Sequence, residues 1–362
     1  MKINITEMFV DDEIRDAALR VLDSKRFVKG PEGKTFEEKF AGFCEARYAV
    51  ATNSGTSALH VALLTLGIKK GDEVIIPSHT FVATASPLLH IGAIPVFAEV
   101  DEKTYTLDVD DVKRNITKKT RAIIPVHLYG HPCDMDPLKD LAEDHDVRIL
   151  EDACQAHGAI YKGKEKVGGI GDMACFSFFP SKNMTVAGDG GMITTNDEDY
   201  AVTARALVDQ GRLEGKKYEH DLAGFNYRMS ELLAAIGSVQ LKHLPDWIEK
   251  RRQHASLYTR LLTDEDVILP IEAEWAKHVY HLFVIRHKKR DDLQKYLKDK
   301  DIGTGIHYPV PVHLQPSIKP YNRGPMPVTE KIAKEVLSLP LSPSLTSEQV
   351  EVVCQYIMEW LK

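Results

Sequence analysis

The chain has 362 residues, 43% hydrophobic and 27% charged, with 46 basic against 53 acidic residues and a formal net charge of −7. This is the composition of an ordinary globular protein long enough for two domains. The mild acidity argues against a nucleic-acid partner or an anionic membrane surface. The basic run His287-Lys288-Lys289-Arg290 reads as a solvated turn before a helix.

Five scattered cysteines (Cys44, Cys133, Cys154, Cys175, Cys354), none in a C-x-x-C pair, suggest a reducing compartment and no disulfide framework. The opening "MKINITEMFVDDEIRDAALRVL" has no apolar core of signal-peptide length, and no stretch approaches a membrane span. A cytoplasmic location without membrane contact is expected.

In chain order, residues 11–23 predict an amphipathic helix with Ile14, Ala18, Leu19 and Leu22 on one face. "YAVAT" (48–52) predicts a short buried strand, and "NSGTSALHVALLTLGI" opens a helix. Strand and helix then alternate: "EVIIPS", a helix over 80–91, "IPVFAEV", "RAIIPVHLYG", a helix over 136–145, and "VRILED". "MACFSFF" and "GGMITTN" follow as strands. Near-continuous apolar strands alternating with helices imply a mostly parallel sheet covered on both faces.

A helix over 231–244 carries Leu232, Leu233, Ile236, Val239 and Leu244 on a stripe, and Pro245 is expected to stop it. That sets the expected boundary between domains 1–244 and 245–362. Beyond it the pattern predicts strands near 280–285 and 304–308 and helices near 290–299 and 346–361, the last opened by a capping box of Thr346 and Gln349. There are no repeats and no low-complexity tracts.

Three short stretches carry chemistry. Asn53-Ser54-Gly55-Thr56-Ser57 stands between a strand and a helix. Free N–H groups at a helix start, a glycine that permits close approach and flanking hydroxyls make a phosphate cradle, although the same residues also describe an ordinary N-cap. Asp152, just past an apolar strand, lies where ligands bind in open α/β sheets. It could pair with a cationic ring nitrogen or cap a turn, and Gln155 could reach the same ligand.

Lys182 follows the strand that contains Ser177. Apolar walls would lower its pKa and make it a nucleophilic amine, whose natural use is a Schiff base with a carbonyl, above all pyridoxal phosphate; alternatively it snorkels to solvent. A phosphate cradle, a carboxylate at a strand end and a crowded lysine together are what pyridoxal phosphate requires.

The sequence resembles the DegT/DnrJ sugar-nucleotide aminotransferases across nearly the whole chain. The resemblance is carried by "NSGTSAL", "PSHTFVATA", "EDACQAHGA", "FSFFPSKNMTVAGDGGMITT", "GFNYRMSELLAAIGSVQL" and "IGTGIHYPVPVHLQP". It implies the fold type I pyridoxal-phosphate transferase architecture: a large domain with a mostly parallel sheet of the seven-stranded type flanked by helices, and a smaller C-terminal α/β domain.

It implies that Lys182 binds the cofactor's aldehyde, that Asp152 meets the pyridine nitrogen and that Gln155 meets the phenolic oxygen. Gly55, Thr56 and Ser177 would bind the phosphate. Phe81 would stack on the ring, where the residues alone suggest a core aromatic. Asn226 would reach the neighbouring subunit's cofactor, making a homodimer with a shared site. Arg228 would meet an anionic group of a substrate or form a surface ion pair. Tyr308 and His313 are acceptor-site candidates, and His307 could equally be a packed strand residue. His127, His131, Cys133 and Asp134 fit no usual zinc spacing and read as strand end plus turn, so no metal is expected.

The activity implied is amine transfer from L-glutamate to a nucleotide-linked keto-hexose, with "IGTGIHYPVPVHLQP" leaning to a 3-keto sugar and "GFNYRMSE" to a 4-keto one. Some relatives carry histidine in place of the lysine and remove a hydroxyl. Retention of Lys182 favours transamination over such a dehydratase, and the intact Asp152, Ser177 and Lys182 set favours it over a silent regulatory protein of the same fold.

Overall fold

The computed structural model describes residues 2–213 and 215–362. Its centre is a seven-stranded sheet with strands in the spatial order Tyr48–Thr52, Gly191–Thr195, Met173–Ser177, Arg148–Asp152, Thr120–Ile123, Glu73–Pro77 and Ile94–Ala98. Neighbours pair in parallel from Met173–Ser177 to the Ile94–Ala98 edge. Only Gly191–Thr195 is reversed, being antiparallel to both its neighbours. The carboxyl ends of the other six strands therefore share one edge.

Both faces are buried, which explains the unbroken apolar strands. Ile75, Ile123 and Phe176 point into a core with Phe36, Phe40, Phe178 and Trp247. Val74, Ile76, Leu150 and Ile193 point into the other, with Leu59 and Leu63 of the helix Gly55–Thr65. A third core lies in the C-terminal part, where strands Phe283–Arg286 and Val336–Leu339 pair antiparallel and pack with helices Arg290–Asp299 and Ser347–Leu361. The Thr346–Gln349 capping box forms as the sequence predicts. Among the described residues no helix is long and apolar enough to cross a membrane.

Several expectations are corrected. Pro245 does not stop its helix, which runs unbroken from Glu231 to Leu261. Proline inside a helix removes one backbone hydrogen bond and costs about 3 kcal/mol. Burial of Leu241, Leu244, Trp247 and Ile248 around it offsets that cost, at roughly 1.5–3 kcal/mol per large apolar side chain. The first helix, Asp12–Ser24, buries Ile14, Ala17 and Val21, while Leu19 and Leu22 are exposed. The helix expected over 80–91 is broken into a single 3-10 turn, Val82–Thr84, and a short helix, Ser86–Ile91, with Pro87 in its first turn. Near 304–308 there is only an isolated bridge, Gly305 to Ser338. The helices Pro31–Cys44, Val109–Asn115 and Glu198–Val208 have no counterpart among the sequence expectations.

Candidate active site

A cavity of about 420 Å³ opens at the shared carboxyl edge, lined among others by Gly55, Thr56, Phe81, Asp152, Gln155, Ser177, Lys182 and Tyr308. Asp152 is the last residue of its strand and Ser177 of the next. Gly55 opens the helix that follows the first strand.

At that helix start the Ser54 side chain accepts the N–H of Ser57. Gly55 and Thr56 lie in the first turn, where backbone N–H groups have no intrahelical acceptor. The glycine is required by space: a Cβ there would sit 2.7 Å from the Ser177 Cβ and 3.0 Å from the Cys154 Sγ.

Asp152 is buried and held by two donors, the Thr84 hydroxyl on Oδ2 at 2.8 Å and the Cys154 N–H on Oδ1 at 3.2 Å. Thr80 in turn bonds the Thr84 hydroxyl at 2.9 Å. The Gln155 amide is fixed at both ends: its Oε1 accepts from the Tyr129 N–H at 2.9 Å, and its Nε2 donates to the Tyr308 hydroxyl at 3.2 Å. The Tyr308 ring lies 5.5 Å from that of Phe81. Phe81 is 50% exposed, which removes the core-aromatic alternative.

Lys182 is half-buried in the cavity wall, and among the described residues its amine has no hydrogen-bond or ion-pair partner. Burial lowers its pKa, against the opposing influence of Cys154 and Asp152. The amine is thereby biased toward the neutral, nucleophilic form. Burial also raises the Tyr308 and Cys154 pKa values, keeping both neutral.

Three of the sequence candidates are not in the cavity wall. Asn226 is exposed and bridges to Asp209. Arg228 donates to Asp209 Oδ1 at 2.5 Å, an ion pair that also gathers Lys29 and Arg212. His313, expected at the acceptor site, is fully buried; its Nδ1 meets the Ser78 hydroxyl at 2.5 Å and its Nε2 faces Glu330 at 3.4 Å. Conversely, His307 lines the cavity instead of packing in a strand.

Thr84, Tyr129 and the cavity-lining Asp189 are absent from the sequence candidates. The threonines of "SHTFVATA" flank Phe81, and their spacing on one turn is the signal that could have found them. His127 is used structurally: its Nε2 meets buried Glu151 at 3.0 Å and its Nδ1 accepts from the Cys133 N–H at 3.0 Å.

A doubly covered, mostly parallel sheet with a lone lysine amine and an anchored carboxylate at its carboxyl edge defines a transferase of the fold type I pyridoxal-phosphate class. Residues 9–358 match the DegT/DnrJ/EryC1/StrS aminotransferase family, and the chain belongs to it. As a member it is a pyridoxal-phosphate-dependent aminotransferase.

The chain is 42% identical to the "Pleiotropic regulatory protein" of Geobacillus stearothermophilus, over 99% of this chain and 98% of that one. It is 44% identical to the dTDP-3-amino-3,4,6-trideoxy-alpha-D-glucose transaminase of Streptomyces venezuelae, over 95% of this chain and 91% of that one. It superposes on the crystal structure of S. venezuelae DesV in complex with a ketimine intermediate with a TM-score of 0.96, at 42% identity, covering 100% of this chain and 99% of that one.

Proposed function

We propose that the protein moves an amino group from L-glutamate to the keto carbon of a nucleotide-linked hexose, at sugar position 3 in preference to 4, to make an amino sugar nucleotide. The observation that carries this reading is the unpaired Lys182 amine sharing one cavity with the anchored Asp152 carboxylate. The name of the Streptomyces relative supports a 3-amino product. A glutamate donor follows from the family resemblance.

The residues fit pyridoxal phosphate. The cradle of Gly55, Thr56 and Ser177, which a Cβ at Gly55 would fill, suits the phosphate. Asp152 suits a protonated ring nitrogen, Gln155 the phenolic oxygen and Phe81 a ring face. When bound, the cofactor supplies an electron sink for charge developing on the substrate carbon. Asp152 would hold the proton on the ring nitrogen, and the two threonines behind it keep the carboxylate aimed. Lys182 Nζ is the group that would hold the cofactor's aldehyde end, and as a free amine it would move the proton as general base and then acid. Its lowered pKa suits both roles. Tyr308, hydrogen-bonded to Gln155, and Arg228 are the residues we assign to the substrates.

We further propose a homodimer in which Asn226 completes the partner's site. Its exposure outside the cavity wall is what a residue serving the neighbouring subunit requires, and Phe81 and Phe179, each 50% exposed beside the cavity, offer apolar surface for a partner to cover. We assign residues 1–244 to the cofactor domain and 245–362 to the smaller domain, with the helix Glu231–Leu261 bridging them.

The name of the Geobacillus relative favours a second reading, a regulatory protein of this fold. The two separate on one preparation. A transaminase is yellow with its cofactor, loses the colour on adding L-glutamate, and after borohydride reduction carries the cofactor adduct on Lys182 by mass spectrometry. Synthetic 3-keto and 4-keto sugar nucleotides, with products identified by NMR, then assign the position. A colourless protein that ignores added pyridoxal phosphate overturns the enzymatic reading, and release of a deoxygenated keto sugar without amine points to a dehydratase.

A further inference from the structure

Three imidazoles, the buried His157 and His281 and the partly buried His307, lie within electrostatic reach of Lys182, and desolvation favours the neutral form of each. Among the described residues His157 has neither ring nitrogen in a hydrogen bond, and His307 Nδ1 is taken by the Ser338 hydroxyl at 2.8 Å. His281 differs, because it is bonded to the residue next to the lysine. Its Nδ1 stands 3.1 Å from Asn183 Oδ1, while Asn183 Nδ2 donates to the Val279 carbonyl at 3.4 Å.

The second bond decides the first. With Asn183 Nδ2 on a carbonyl, Oδ1 must face the imidazole, and an amide oxygen only accepts. His281 therefore carries its proton on Nδ1. Both ends of the Asn183 amide read the segment 279–281, and Asn183 itself is 3% exposed.

That segment is fixed from two further sides. Arg251, 2% exposed, donates through Nη1 to the carbonyls of Tyr280, His281 and Leu341 at 3.3, 3.2 and 3.1 Å. No carboxylate among the described residues pairs with it within 4.0 Å. The N–H of Val279 donates to the Gly130 carbonyl at 3.0 Å. Gly130 has φ +99°, and a Cβ there would lie 2.8 Å from Val279 Cγ2 and 3.0 Å from the His281 nitrogen. The lysine loop has backbone ties of its own, Lys182 N–H to the Phe179 carbonyl at 2.8 Å and Thr185 N–H to Gln240 Oε1 at 3.4 Å, but the Asn183 amide is the side chain beside Lys182 that reaches the segment 279–281.

We propose that His281, locked as an Nδ1–H donor, is a positioning residue that sets the Lys182 amine through Asn183, with Arg251 as the post that holds the His281 backbone. The inference rests on the reading of Lys182 as the cofactor-binding amine. A displacement of about 1 Å at a reacting group lowers rates by the order of 10²-fold, so the side-chain tie from Asn183 to the segment 279–281 needs a rigid anchor.

The test compares His281→Asn, His281→Gln and His281→Leu. The asparagine amide nitrogen can stand where Nδ1 stands; the glutamine one falls at the Nε2 position. In the cofactor-free protein, trace labelling with acetic anhydride followed by mass spectrometry reads the reactivity of Lys182 against surface lysines. We expect that ratio to fall several-fold in the Gln and Leu variants as the amine moves toward water, and to stay near wild type in the Asn variant. In the holoenzyme, kcat of the glutamate half-reaction should fall by about 10–100-fold in Gln and Leu and recover in Asn.

If the Leu variant does not fold, the Asn–Gln pair carries the comparison alone. Equal Lys182 labelling in wild type, Asn and Gln overturns the proposal, and so does an Asn variant as impaired as Gln. Borohydride trapping on wild type keeps the two readings apart. An adduct on Lys182 with unchanged labelling in the variants sinks the His281 role alone, and absence of the adduct sinks the proposed function with it.

Discussion

Thr84 donates a hydrogen bond to Asp152 at 2.8 Å, joining the turn after one strand to the carboxyl end of another. Thr80 stands behind Thr84, so the carboxylate is aimed by two hydroxyls that carry no charge and lie in a motif dominated by Phe81. A hydrogen bond to a charged group contributes about 1.5–3 kcal/mol. Thr84→Val should therefore weaken pyridoxal phosphate binding by roughly 10–100-fold, and Thr84→Ser should restore most of it. Absorbance titration of the cofactor-free protein measures both, and an unchanged affinity in the valine variant would refute the role.

The phosphate cradle makes a steric prediction. Gly55→Ala introduces a Cβ 2.7 Å from the Ser177 Cβ, closer than packed carbons tolerate. Overpacking of this kind costs about 1–3 kcal/mol. Because the strain falls between two cradle residues, cofactor affinity should drop more than the melting temperature of the cofactor-free protein. A variant that binds pyridoxal phosphate like wild type would show that Gly55 serves packing alone.

Glu231 is 2% exposed, and its carboxylate accepts the N–H groups of Glu32 at 2.8 Å and of Gly33 at 3.3 Å. It thus caps the helix Pro31–Cys44, whose own N-cap, Gly30, has no side chain for the task. Glu231→Ala leaves those partly buried donors without their acceptor and should destabilise the protein by about 1–2 kcal/mol. Glu231→Gln, which keeps an acceptor, should lose less. Urea denaturation of the three proteins orders them, and an alanine variant as stable as wild type would contradict the capping role.

Acid should destabilise the protein well before its carboxylates titrate. Burial lowers the pKa of His79 and His157 to about 3 and of His307 to about 4, from 6.5. In the unfolded chain these imidazoles take protons below about pH 6.5, whereas in the folded chain they stay neutral. Stability from them is full above 6.5 and is lost as pH falls, toward about 4 for His307 and about 3 for His79 and His157. His79 and His157, both fully buried, each contribute up to about 1.4 kcal/mol per pH unit in that window. Melting temperatures between pH 7.5 and 5 should decline, and His157→Phe should make the decline shallower. A flat profile would mean that these histidines are not neutral in the folded state.

Much of this protein is legible in one dimension. Lys182, Asp152, Gln155, Ser177, Gly55 and Thr56 all converge on the cavity because each ends or follows a strand, and the six codirectional strands end at one edge. The burial of His313 and the place of Thr84 behind Asp152 are not legible in the sequence, for a common reason. Neither lies at a strand end, and their surroundings are set by chain more than 60 residues away: Ser78 beside His313, Asp152 beside Thr84. Pro245 misleads because local propensity is worth about 3 kcal/mol, less than the burial of the aromatic and aliphatic side chains around it.

The amino-acid order by itself determined the alternation of apolar strands and helices, the reducing-type cysteine usage and the residues able to do cofactor chemistry, because periodicity and residue type are local properties. Only the tertiary structure decided that Asn183 ties the lysine loop to His281, that Arg251 secures that segment, and that His313 is fully buried. Those relationships depend on which distant segments pack together, and packing is the joint outcome of every core contact in the molecule.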